Sequence, residues 1–173
     1  MNFHFLDFLG PIVCLISLVV AWKDINARYM LFCCLLGSAV SLLTLEWAMT
    51  KPILFYAWSM SMSALFLILL FGRRYWAYKF DRLQFFSEAY EQHRYTPQEV
   101  ILVVISFVCI ISNFITLVEV YLYWIYWLDN AYYKLYVRDF LQKFMIILSC
   151  IVCFSFVFKT SRKQSLNSQE STH

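Results

Sequence analysis

The residues of this chain able to do chemistry are six cysteines, three histidines and a few charged groups set among apolar runs. Cys14, Cys33, Cys34, Cys109, Cys150 and Cys153 all fall inside apolar stretches and none in a polar connection, so no disulfide framework is implied. Cys150 and Cys153 have the two-residue spacing of a redox dithiol. Counted from Phe140 at ~1.5 Å per residue, however, Cys150 lies near the middle of a bilayer, where a thiolate is disfavoured. No second pair stands in a connection to hand electrons onward. The cysteines are therefore expected to pack as small apolar side chains. Met60 and Met62, with Cys33 and Cys34, would supply soft ligands for copper(I). Helical residues two apart diverge by about 200°, so the two thioethers do not face one site. His4, His93 and His173 form no cluster, and the chain has no Gly-rich phosphate loop, Ser-x-x-Lys or His-Glu-x-x-His. No catalytic residue, cofactor or metal is expected.

A charge inside a membrane is retained only with a partner or a purpose, which singles out Asp7, Glu46, Glu119 and Lys143. At ~1.5 Å per residue, Glu46 lies about 26 Å beyond Tyr29, and Glu119 about 28 Å beyond Val100. In alternating helices all four groups then reach one membrane level. A structural ion-pair layer, with Glu119 beside Lys143, is the expected arrangement, and a proton relay through Glu46 and Glu119 the alternative. Asn113, deeper in the same run as Glu119, is expected to hydrogen-bond a neighbouring helix.

The elements that must position these groups follow from composition. Of 173 residues 62% are hydrophobic, 20% aromatic and 14% charged, with mean hydropathy +0.64; soluble domains carry about 25% charged residues. A net charge of +3, interleaved with apolar runs, is too small to argue for nucleic acid, and no nucleic-acid partner is expected. Five stretches approach the ~20 residues that cross a bilayer: 5–22, 29–49, 52–71, 100–124 and 140–158. The expected fold is thus an all-α polytopic membrane bundle of five transmembrane helices within a single domain, 1–158. The number falls to four if the first stretch, interrupted at Gly10-Pro11, lies in the interface. The first ten residues contain Asp7 but no Lys or Arg, so a cleaved signal peptide is not expected. Thr96, Pro97 and Glu99 mark a helix start, and the helix could extend as far as Leu128. Only Thr50 and Lys51 join the second and third spans, where Gly37, Ser41, Ala57, Ser59, Ser61 and Ser63 favour close helix contact.

Lys and Arg split ten to four between the two sides, which places the N-terminus outside and the C-terminus in the cytoplasm; the expected location is a bacterial inner membrane. In the cytoplasmic connection 72–95, Trp76, Phe80, Leu83, Phe86 and Tyr90 recur at steps of four and three. That is an amphipathic helix expected to lie on the membrane, with docking on a partner subunit as the alternative. Tyr121, Tyr123, Trp124, Trp127, Tyr132 and Tyr133 make an outer aromatic belt, or else a platform for a partner. The polar tail 159–173 lacks periodicity and is expected to be disordered. The function so indicated is non-enzymatic contact within the bilayer, as a small subunit of a membrane complex or an immunity, exclusion or defence factor. The partners are lipid and either another protein or a second copy. A small oligomeric transporter or pore using Glu46 and Glu119, and a thiol oxidoreductase using Cys150 and Cys153, are the alternatives.

Overall fold

In a computed structural model the described residues are 5–80, 84–93 and 95–170, with side chains described for 8–80, 84–93 and 95–158. Leu83 and the Asp7 side chain lie outside them. The protein is an all-α, multi-pass membrane bundle. Its described helices are α1 (Phe5–Val20), α2 (Ile25–Met49), α3 (Leu54–Phe71), α4 (Arg73–Lys79), α5 (Gln84–Glu91), α6 (Pro97–Trp124) and α7 (Asp139–Glu170), the last entered through a wide π turn at Tyr133–Arg138. Four apolar helical stretches, Ile25–Met49, Leu54–Phe71, Pro97–Trp124 and Tyr133–Phe158, are long enough to cross a membrane, and a shorter one covers Phe8–Val20. The first expected span, 5–22, is that shorter helix: α1 has 16 residues, or ~24 Å at ~1.5 Å per residue, against a core of ~30 Å. It runs unbroken through Pro11, not starting there as the Gly10-Pro11 interruption suggested.

Local chemistry sets the helix ends. The Asp24 carboxylate accepts from the Asn26 N–H and starts α2 four residues earlier than the apolar run alone implied. The Thr96 hydroxyl accepts from the Glu99 N–H at 3.3 Å and starts α6 at Pro97. At its other end α6 stops at Trp124, short of Leu128. Tyr126 takes φ 60°, and the Trp127 N–H turns back to the Leu122 carbonyl at 3.0 Å. Past Phe158, α7 continues to Glu170. The tail expected to lack structure therefore carries helix that far, since no Gly or Pro interrupts it.

The five long elements close into a ring. α1 packs on α2 and α7, α2 on α3, α3 on α6, and α6 on α7. At the end carrying Arg28, Arg73 and Glu99, here the basic end, the ring is filled by Leu18, Ala21, Met30, Leu31, Leu70, Leu102 and Phe156. Towards the opposite end, where Trp124, Trp127 and Tyr132 are exposed, the ring opens.

The connection 72–95 is two helices, not one amphipathic rod. Phe80 leaves the helical region at φ −112°, ψ 44°, and the chain doubles back so that Phe80 stacks on both Trp76 and Phe86. α5 then docks on α2, burying Ala89 completely and setting Phe85 and Phe86 against Tyr29. Of the described members of the apolar stripe expected to face lipid or a partner, only Phe86 is set against the second helix, where Phe85 and Ala89 join it; Phe80 and Tyr90 stay exposed. Gly72 permits the bend between α3 and α4: a Cβ there would lie 2.6 Å from the Ile68 carbonyl oxygen and 2.7 Å from Trp76 Nε1.

Candidate functional site

The opening in the ring is a cleft of about 450 Å³ walled by all five long elements. The small residues of α2 and α3 make it. Ser41, Ser59 and Ser63 line it, and a side chain at Gly37 would meet nothing within 4 Å. These residues were expected to bring two helices into tight contact; instead they leave a void with a hydroxyl-bearing wall. The two helices are joined to one side of it, where Trp58 Nε1–H donates to Thr44 Oγ1 at 3.0 Å. Met62, Met145, Ser106 and Ser149 complete much of the wall. Arg138 and Gln142 line it towards the aromatic end. The Arg138 guanidinium lies 4.8 Å from the Tyr56 ring and 3.2 Å from an Asp139 carboxylate oxygen, while its buried Nε has no partner.

At the inner end of the cleft three thiols from three helices converge. Cys14 of α1 and Cys153 of α7 have their sulfurs 3.7 Å apart, and Cys34 of α2 completes a set whose sulfurs all lie within 4.8 Å of one another. Cys109 and Cys150 line the same cleft, whereas Cys33 is turned away into the contact of α2 with α5. All six cysteines are free thiols. Neither the Cys150–Cys153 spacing nor the Cys33-Cys34 pair had indicated this grouping, because it depends on the closure of α1 against α2 and α7.

The expected charge layer does not assemble among the described residues. Glu46 and Lys143 are exposed and make no ion pair. Glu119 is engaged differently: its two carboxylate oxygens accept the Tyr133 and Lys134 backbone N–H groups at 2.7 and 2.8 Å. Both amides sit in the first turn of the π segment, where no intrahelical acceptor reaches them. Glu119 thus fastens the entry of the last helix to the end of α6, and Tyr133 adds a hydroxyl bond to Ser112 Oγ at 3.0 Å. Of the proposed aromatic platform, Tyr133 is the member turned inward. Tyr121, Tyr123, Trp124, Trp127 and Tyr132 remain exposed. Asn113 donates to the Cys109 carbonyl of its own helix rather than to a neighbour, and its Oδ1 is buried without a partner.

Among the described residues the buried charged side chains, Arg73 and Glu99, are at the basic end instead. Arg73 Nη2 donates to Glu99 Oε1 at 3.0 Å, and both side chains are 5% exposed. His93 Nε2 lies 3.3 Å from the same oxygen, Arg73 Nη1 reaches Asn26 Oδ1 at 3.4 Å, and the guanidinium stands 4.4 Å from the Tyr29 ring centre. Tyr29 O–H donates to the Leu69 carbonyl, and Asn26 Nδ2 donates to the Gln92 carbonyl. This network ties α2, α3, α4 and α6 together below the filled part of the ring. From the sequence Glu99 was expected only as part of a helix start. The signal available was an Arg pair, Arg73-Arg74, just after one apolar stretch and a Glu just before another. No family model, curated protein or solved structure matches this chain.

Proposed function

We propose that the protein is a non-enzymatic membrane protein that admits a small ligand into the cleft of its helix ring from the aromatic end. One observation carries this reading: the ring is packed solid and locked by Arg73–Glu99 at one end, yet open over about 450 Å³ at the other. Interiors are ordinarily filled to crystal-like density, and a cleft of this size falls in the range of small-molecule sites. Its wall supplies hydroxyls, thioethers and thiols but no paired acid and base, which supports binding over catalysis. The ten-to-four division of Lys and Arg sets the aromatic end, and so the cleft, on the outer face with the C-terminus in the cytoplasm.

A cysteine-free variant carrying one thiol at Ser41 tests both entry and orientation. A small, impermeant methanethiosulfonate should modify it in intact cells, while a thiol at Gln92 should react only after permeabilisation. A Ser41 thiol unreactive from both sides would exclude an admitted ligand, and labelling of Gln92 in intact cells would invert the topology.

A second reading, contact with another membrane protein, is supported by the exposed rim of Trp124, Trp127 and Tyr132, at 64, 79 and 62% exposure. Co-purification of a stoichiometric partner that is lost on Trp127→Ala and retained on Ser41→Cys would favour it. A relay through Glu46 and Glu119 draws no support from side chains that are respectively exposed and committed to backbone amides.

A further inference from the structure

We propose that Cys14, Cys34 and Cys153 bind copper(I) as a three-sulfur site at the inner end of the cleft. The inference deepens the ligand-admitting reading, on which it rests for the route by which the ion arrives. A trigonal ion with metal–thiolate bonds of ~2.3 Å sets its sulfurs about 4.0 Å apart. The cluster has one pair at 3.7 Å and all three sulfurs within 4.8 Å of one another, so closure around an ion needs only side-chain adjustment. The ligands come from three different helices of the ring, which fixes their mutual positions through the packing of α1 against α2 and α7.

Ligand chemistry selects the ion. Thiolate and thioether are soft donors that favour copper(I), whereas magnesium, calcium and manganese prefer oxygen. Structural zinc closes a tetrahedron with four nitrogen or sulfur ligands; among the described residues the cluster offers three. Met62 and Met145 line the same cleft, supplying weaker soft donors on the way in, as transient ligands for an ion moving towards thiols. The walls offer no carboxylate to compete for it.

Binding is a proton-for-metal exchange without redox change. Copper(I) forms a bond to each sulfur, and each thiol that becomes a thiolate releases one proton to water in the cleft. Two thiolates and one neutral thiol around copper(I) leave a net charge of −1, whereas three thiolates leave −2. One thiolate and two neutral thiols leave none, and since the low dielectric of the interior penalises each added charge, fewer than three protons leave per ion bound.

The test uses the full chain in lipid nanodiscs, kept anaerobic with ascorbate, and copper(I) itself as probe against a chromogenic chelator. One copper(I) per chain should be retained. X-ray absorption should report a shell of sulfur at ~2.3 Å and no nitrogen. Cys14→Ser, Cys34→Ser and Cys153→Ser should each weaken binding by at least about 100-fold, the upper end of what loss of even an outer-shell partner costs. Cys33→Ser and Cys150→Ser should retain it. Because a core substitution can impair folding, each variant is also checked for a monodisperse elution profile and an unchanged thermal unfolding midpoint, and only variants that keep both are scored. The absorption shell needs no substitution at all. Sub-stoichiometric copper, a nitrogen- or oxygen-dominated shell, equal loss on Cys150→Ser, or zinc(II) held as tightly as copper(I) would each overturn the assignment. An accessible Ser41 thiol with no copper retained refutes the metal site while leaving the ligand-admitting cleft standing.

Discussion

Removing one member of the Arg73–Glu99 pair should destabilise the bundle more than removing both. At 3.0 Å and an effective dielectric of ~20, the direct attraction is of order 5 kcal/mol, and with each side chain 5% exposed solvent screens little of it. Much of the cost in a single variant is the charge left behind: Glu99→Gln strands a guanidinium in the interior, and Arg73→Met strands a carboxylate. Breaking a buried pair in this way costs about 3–5 kcal/mol. The double variant strands neither, and loses chiefly the Arg73 bond to Asn26, worth about 1 kcal/mol. The cycle should therefore show a coupling of at least about 2 kcal/mol, read from reversible denaturant unfolding in mixed micelles. The same cycle on Arg28 and Glu88, 3.8 Å apart with exposures of 21% and 50%, should give less than about 1 kcal/mol. Additive losses at Arg73 and Glu99, or equal couplings at the two pairs, would refute the argument.

Glu119→Ala frees two backbone amides and should cost about 1–3 kcal/mol, whereas Lys143→Met should stay within ~0.5 kcal/mol; the two should add in the same unfolding assay, since they share no contact. Gly72→Ala drives a methyl against the Ile68 carbonyl oxygen and should cost about 1–3 kcal/mol. Removing the neighbouring indole with Trp76→Ala should not rescue it, because the backbone oxygen remains, and recovery of the melting temperature in the double variant would refute that geometry. Trp58→Phe deletes the bond to Thr44 that joins α2 and α3 beside the cleft. It should cost about 1 kcal/mol and increase the reactivity of a thiol at Ser41.

What the sequence disclosed was what one-dimensional chemistry can carry. Hydropathy is a local property, so the long spans and the start of α6 at Pro97 were legible, the latter because Thr96, Pro97 and Glu99 are a complete signal within four positions. Partnerships between helices were not. Depth alone put Glu119 and Lys143 at one level, but level does not determine azimuth, and Glu119 turned towards unpaired amides only 14 and 15 positions along the chain. The periodic apolar residues of 72–95 read as one helix, whereas α4 and α5 are separate and only α5 docks on α2, through Phe85, Phe86 and Ala89. The thiol cluster spans a separation of 139 residues between Cys14 and Cys153, and no spacing rule reaches that far. Small residues at Gly37, Ser41, Ser59 and Ser63 were visible, yet smallness permits either close packing or a void, and ring closure decides between them.

The short first helix has a mechanical consequence. Four apolar segments of 18 to 28 residues and one of 16 cannot all match a single slab of hydrocarbon. Around α1 the shortfall is ~6 Å against a ~30 Å core, and mismatch costs a fraction of a kcal/mol per Å. Lipid beside α1 must thin by twice the ~3 Å that the 18 residues of α3 require, so the dent the protein imposes on its surroundings is deepest on the α1 flank. In a thinner bilayer the dent relaxes; in a thicker one it deepens, and pulls α1 relative to α2 and α7. Bilayer thickness thereby becomes a lever on the same helix that contributes Cys14.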